Sequence, residues 1–146
     1  MATVVFEKNI GGNVKARRVE VKYTELITAG ASQNINLGSV LPSGAALLSA
    51  RYILKTVFTS GSITGLTCEV GTSSDTDGII TAGQLLSGSP TAGSERAVTG
   101  VGVGISAATP LARFTASGAN LGDGSASALT AGNIYVDLVY VVLPTY

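Results

Sequence analysis

Hydrophobic and polar positions alternate with a period of two along much of this chain, and no run of ten residues or more carries the helical period. From Arg17 to Tyr23, Val19, Val21 and Tyr23 fall on one face, with Arg18, Glu20 and Lys22 on the other, which predicts a half-buried strand. Ser32 to Leu37 alternates in the same way, and Leu41-Pro42-Ser43-Gly44 then predicts a turn whose proline presets φ. Ala50 to Thr59 and Asn133 to Leu143 are apolar on both faces, the second interrupted only at Asp137. Strands of that kind need cover on both sides, from an opposite sheet and from something else.

Shorter strands are expected at Leu66 to Val70 and Leu111 to Ser117, and Ile79 to Leu86 reads as a short strand running into a helical turn. Gly71 to Gly78 and Gly118 to Ser127 read as loops. Gly100-Val101-Gly102-Val103-Gly104-Ile105 sets branched side chains against bare glycines, a pattern that lets another backbone approach closely. Gly11-Gly12-Asn13 breaks the chain, so residues 1–12 are expected as an N-terminal arm and 13–146 as one domain. Thr-Ala-Gly recurs at Thr28, Thr81, Thr91 and Thr130, but its irregular spacing marks turns and not a repeat. Together these elements predict an all-β, jelly-roll-like sandwich of two sheets.

Composition narrows the chemistry. The 146 residues include 19 glycines, one cysteine and neither histidine nor tryptophan, and only 12% are charged. Without histidine, general acid/base catalysis and metal ligation lose their commonest agent, so no enzyme and no cofactor are expected. Cys68 sits in the alternating run Leu66-Thr67-Cys68-Glu69-Val70 and reads as a small buried hydrophobe. Net charge is zero, yet residues 1–60 hold seven basic against three acidic side chains, and residues 61–146 hold two against six. The two halves are therefore oppositely charged, which can favour contact between copies or with a charged neighbour. Met1 to Lys8 has no signal-peptide pattern, and Ile134 to Leu143 is too short to span a bilayer. The chain is expected to be soluble, made in the cytoplasm and independent of membranes.

Gly100 to Gly104 lacks the spacing and the following helix of a dinucleotide site. Asp75-Thr76-Asp77-Gly78 resembles part of a calcium loop, but the next acid after Asp77 is Glu95, so a solvated turn is favoured. Glu69 with Glu95, or Asp75 with Asp77, would suit a glycosidase, and the loops around Asp75, Asp77 and Asp123 a carbohydrate-binding surface, yet three Phe and five Tyr offer few sugar platforms. Lys15, Arg17, Arg18 and Lys22 are interleaved with Glu20 and have no aromatic platform, so nucleic acid is not an expected partner.

Leu41-Pro42-Ser43-Gly44-Ala45, the strand Ala50 to Thr59, Leu66 to Gly78, and Thr130-Ala131-Gly132 leading into Asn133 to Val141 resemble small jelly-roll proteins that decorate or cement the heads of tailed bacteriophages. The resemblance runs from about Thr28 to the C-terminus. It implies a virion protein made in the host cytoplasm and placed on the outer capsid surface, where it bridges major capsid protein subunits as a dimer or trimer. Similar modules occur in phage tails and fibres, and a tail or neck component is the alternative address. A carbohydrate-binding module on the virion is the alternative of a different class. The resemblance brings no catalytic residues. Expected interface residues are Val4, Val5 and Phe6 in the arm, Arg17 and Arg18 beside it, and Tyr135, Val139 and Val141 on the final strand.

Overall fold

A computed structural model describes residues 2–86, 90–98 and 103–144. Among these residues ten strands follow one another: β1 (Thr3–Gly11), β2 (Val14–Lys22), β3 (Ser32–Asn36), β4 (Ala45–Ser60), β5 (Gly65–Thr72), β6 (Asp75–Gln84), β7 (Glu95–Val98), β8 (Val103–Gly104), β9 (Leu111–Ser117) and β10 (Leu129–Val142). One 3-10 turn, Tyr23–Glu25, follows β2. No helix among the described residues is long and apolar enough to cross a membrane.

The pairing is nested. β2 pairs with β10, β3 with β9, β4 with β7 and β8, and β5 with β6, all antiparallel. A chain paired first with last and inward in this way behaves as one long ribbon, and rolling the ribbon up gives two sheets. Their strand orders are β1-β2-β10-β4-β7, with β8 also on β4, and β3-β9-β5-β6. We call these the first and second sheet. This is the jelly-roll arrangement, as the alternating pattern predicts.

The core lies between the sheets. Val19, Val21, Leu47, Tyr52, Leu54, Phe58, Ile134, Val136, Leu138 and Tyr140 face inward from the first sheet. They meet Ile35, Leu66, Cys68, Val70, Ile80, Ala112, Phe114 and Ala116 from the second. Phe58 and Phe114 meet with ring centroids 6.5 Å apart and planes tilted by 47°. Each fully buried Leu, Ile or Phe here stabilises the fold by roughly 1.5–3 kcal/mol. Cys68 is fully buried, and burial pushes its thiol pKa up, so it behaves as the packing residue expected.

Several boundaries differ from the expectation. β4 begins at Ala45 and not Ala50, and β10 at Leu129 and not Asn133. The β4–β10 ladder shifts register between Leu129 and Ala131, between Ala131 and Asn133, and between Asn133 and Ile134. Each such shift breaks the two-residue period by which a strand is recognised. Residues 75–78, expected in a loop, open β6, because Thr72 pairs with Asp75 across a two-residue turn. Their polar character reflects exposure at a sheet edge. The helical turn expected near Ile79 to Leu86 is absent, since β6 continues to Gln84. Of the glycine-rich strand expected over 100–105, residues 100–102 lie outside the described residues.

Within the segment expected as an arm, residues 3–11 form an edge strand of the first sheet. β1 pairs along β2 from Thr3↔Glu20 to Gly11↔Val14, closed by a turn in which Gly12 takes φ +56°. Register shifts at Val5 and Ile10 leave these two residues outside the ladder. Bulges of this kind twist an edge away from further strand pairing.

Candidate interaction surface

Alternation gives each sheet one outer face, and the two differ chemically. Across the second sheet, Ser32, Thr115 and Thr67 form one outward row, and Asn34, Arg113 and Glu69 the next. Ser32 and Thr115 share a 3.1 Å hydrogen bond, and Thr76 donates to Glu69 at 2.7 Å. That face is polar throughout these rows and suits water.

The outer face of the first sheet mixes apolar, aromatic and charged groups. One row across β1, β2, β10 and β4 is Lys8, Ala16, Val139 and Ser49, and the next is Phe6, Arg18, Asp137 and Arg51. Tyr135 follows between Glu20 and Ile53, while Val141 lies beside Val14 on the other side. Tyr135, Val139 and Val141 are half-buried although no further layer among the described residues covers the face.

Ion pairs organise the charged row. Arg18 holds Asp137 through two hydrogen bonds, Nε to Oδ1 at 2.6 Å and Nη2 to Oδ2 at 2.7 Å. Arg51 Nε donates to Asp137 Oδ2 at 3.0 Å, and its Nη1 lies 3.5 Å from Glu95. The Arg18 guanidinium also sits 4.9 Å from the Tyr135 ring centroid and 5.8 Å from that of Phe6. Lys55 covers Tyr135 at 4.9 Å, and Lys8 covers Phe6 at 5.2 Å. Cations stacked on rings order long side chains at little cost, leaving a rigid surface ready for contact. Between the rows lies a depression of about 370 Å³ lined by Phe6, Ala16, Arg18, Ser49, Arg51 and Val139 among others.

The expected interface residues separate into three groups. Phe6, Arg18, Tyr135, Val139 and Val141 are brought together on this face. Val4 and Val5 lie on the edge strand and are 41% and 46% exposed. Arg17, also expected at the interface, points the other way and is 1% exposed in this chain. Its Nη1 donates to the carbonyls of Leu37 and Ser39 at 2.9 and 2.8 Å, and its Nη2 to Glu7 at 3.0 Å. The Tyr140 hydroxyl donates to the same Glu7 oxygen. Arg17 therefore locks β1 and the 37–39 loop onto the sandwich. The sequence reading missed Asp137 and Arg51 as members of the surface, and the signal for the first was its interruption of an apolar strand.

The other candidates do not assemble into sites. Glu69 lies in the second sheet and Glu95 in the first, so they form no catalytic pair. Asp75 and Asp77 interact with each other, which raises the Asp75 pKa, and Asp123 is bonded by the amides of Ser125 and Ala126 within its own turn. Among the described residues no group of three His, Cys, Asp or Glu is placed to hold a metal ion. Arg17 and Arg18 face opposite sides, which divides the basic run.

Two carboxylates give the fold a pH dependence. Burial opposes ionisation of Asp137, but the hydrogen bonds from Arg18 and Arg51 outweigh it and hold its pKa below the ordinary value. Burial also opposes ionisation of Glu7, and the bonds from Tyr140 and Arg17 again prevail. A lowered folded pKa contributes stability that is fully present above the unfolded value and is lost as pH falls through the folded one. Urea unfolding should therefore show an unchanged midpoint from pH 7 to about 5.5, then a fall as pH drops below the ordinary carboxylate pKa of about 4. The drop should shrink in an Asp137→Asn variant, and an equal drop there would refute the assignment.

The fold and its surface define a jelly-roll sandwich with one polar face and one structured, partly apolar face. Solved structures that share this fold include chains of phage capsids. The chain matches one in the cyanophage Pam1 capsid asymmetric unit, with a TM-score of 0.61 and 20% identity, over 93% of this chain and 89% of that one. It matches one in the capsid of Ralstonia phage GP4, with a TM-score of 0.55 and 20% identity, over 94% and 90%. A third lies in the acid-stable capsid of Helicobacter pylori bacteriophage KHP30, with a TM-score of 0.50 and 14% identity, over 99% and 95%. No family model and no curated protein matches the chain.

Proposed function

We propose that this chain is a structural protein of a tailed-bacteriophage head, seated on the outside of the shell, where it bridges major capsid protein subunits and associates with its own copies. The observation that carries this reading is the likeness to chains of phage capsids, which covers nearly the whole of this chain and about nine-tenths or more of each of theirs. The two unlike outer faces suit a piece laid on a shell, with the polar face toward water and the mixed face toward a subunit. Nothing in this role needs catalysis, in keeping with the absence of histidine.

Gold-labelled antibody against the chain should decorate the heads of intact virions. Heads lacking the chain should release DNA at a lower temperature than complete ones. Label confined to the tail or neck, or heads of unchanged heat resistance, would overturn the reading.

A further inference from the structure

We infer that the depression on the first sheet's outer face is a socket for one apolar side chain flanked by a carboxylate, both offered by the shell subunit. The inference rests on the capsid reading above and adds the chemistry of the partner. Its apolar part follows from side-chain size. Ala16, Val139 and Ser49 are paired neighbours on β2, β10 and β4, and this low row runs beside the taller row of Phe6, Arg18, Asp137 and Arg51. The difference in height makes the depression of about 370 Å³. Its volume admits a single side chain and its surroundings, not a separate folded element.

The carboxylate follows from charge. Two guanidiniums, Arg18 and Arg51, share the one carboxylate of Asp137, and Lys8 stands at the end of the low row. Glu95 balances this only from 3.5 Å, with both it and Arg51 about half exposed. Arg18 is fixed by its two bonds to Asp137, whereas Arg51, 44% exposed, is the one able to turn to a partner. A carboxylate arriving there exchanges water for a charge-assisted bond beside an apolar contact that excludes solvent.

The test uses shells of the phage's major capsid protein stripped of this chain, with purified full-length chain added back and bound protein measured by co-sedimentation at increasing NaCl. Wild type should bind, more weakly as salt rises. Arg51→Glu and the milder Arg51→Gln should weaken binding, the first by at least about tenfold, and flatten the salt dependence. Ala16→Phe, which fills the depression, should weaken it by a similar factor at every salt concentration. Arg113→Glu makes the same charge change on the opposite face and should bind as wild type. Each variant is first checked for an unchanged unfolding midpoint, and Arg51→Gln carries the charge test if Arg51→Glu fails it. Failure of wild type to bind would sink the capsid reading itself. Wild-type binding by Arg51→Gln and Ala16→Phe would leave that reading standing and overturn the socket.

Discussion

Replacing Arg17 by methionine is expected to lower the unfolding free energy by about 3 kcal/mol, read from urea denaturation at pH 7. Methionine matches the length of the buried stem but donates nothing. The buried carbonyl of Leu37 then loses its donor, at about 1–3 kcal/mol for a buried group left unpaired, while the carbonyl of the exposed Ser39 loses less because water reaches it. Glu7 loses its cation as well, but its side chain is 35% exposed and water recovers part of that loss. Arg17 Nε already lacks a partner, so its removal returns a little. Glu7→Gln should cost less than Arg17→Met, because its carbonyl oxygen still accepts from Tyr140 and Arg17. Hydrogen exchange should quicken in β1 and around residues 37–39 before it does in β4 or β10. A loss below about 1 kcal/mol would show that Arg17 does not hold these segments.

Gly132→Ala is expected to cost about 4 kcal/mol, and Gly132→Val more. Gly132 opens the inward run of β10 with φ +138°, a conformation that only glycine adopts freely. A β-carbon there would also lie inside the van der Waals surface of the Phe58 ring. Phe58 is 1% exposed and packed on Phe114, so the ring has little room to withdraw. Shortening the ring in the double variant Gly132→Ala with Phe58→Leu should recover part of the clash but none of the backbone strain. Thermal unfolding of the four proteins in this cycle separates the two terms. Equal stability of Gly132→Ala and wild type would refute both.

Arg17 shows how far a single sequence can be read. Counting by twos from Val19 and Val21 places Arg17 on their side of the strand and Arg18 on the other, and the structure has them so. A charged residue is normally expected in water, and that rule outweighed the count, because its four partners lie at Glu7, Leu37, Ser39 and, through Glu7, Tyr140. Nothing local in the run from Arg17 to Tyr23 announces them. Val5 and Ile10 illustrate the converse. The break at Gly11-Gly12 was legible, but the return of β1 along β2 depends on the ladder and on Glu7 reaching Arg17.

The alternation of side chains determined the all-β class, the inward faces of β2 and β3, and the doubly apolar character of β4 and β10. These follow from local geometry, since successive side chains in a strand point to opposite sides whatever the strand pairs with. Composition likewise determined that histidine chemistry is closed to this chain. Tertiary structure alone decided which strands became neighbours, and through that which residues share a surface. Asp137 meets Arg18 and Arg51 across 119 and 86 residues of chain. Register between distant strands is set by core packing and bulges summed over the whole sandwich, so a surface assembled across β1, β2, β10 and β4 has no signature in any one of them.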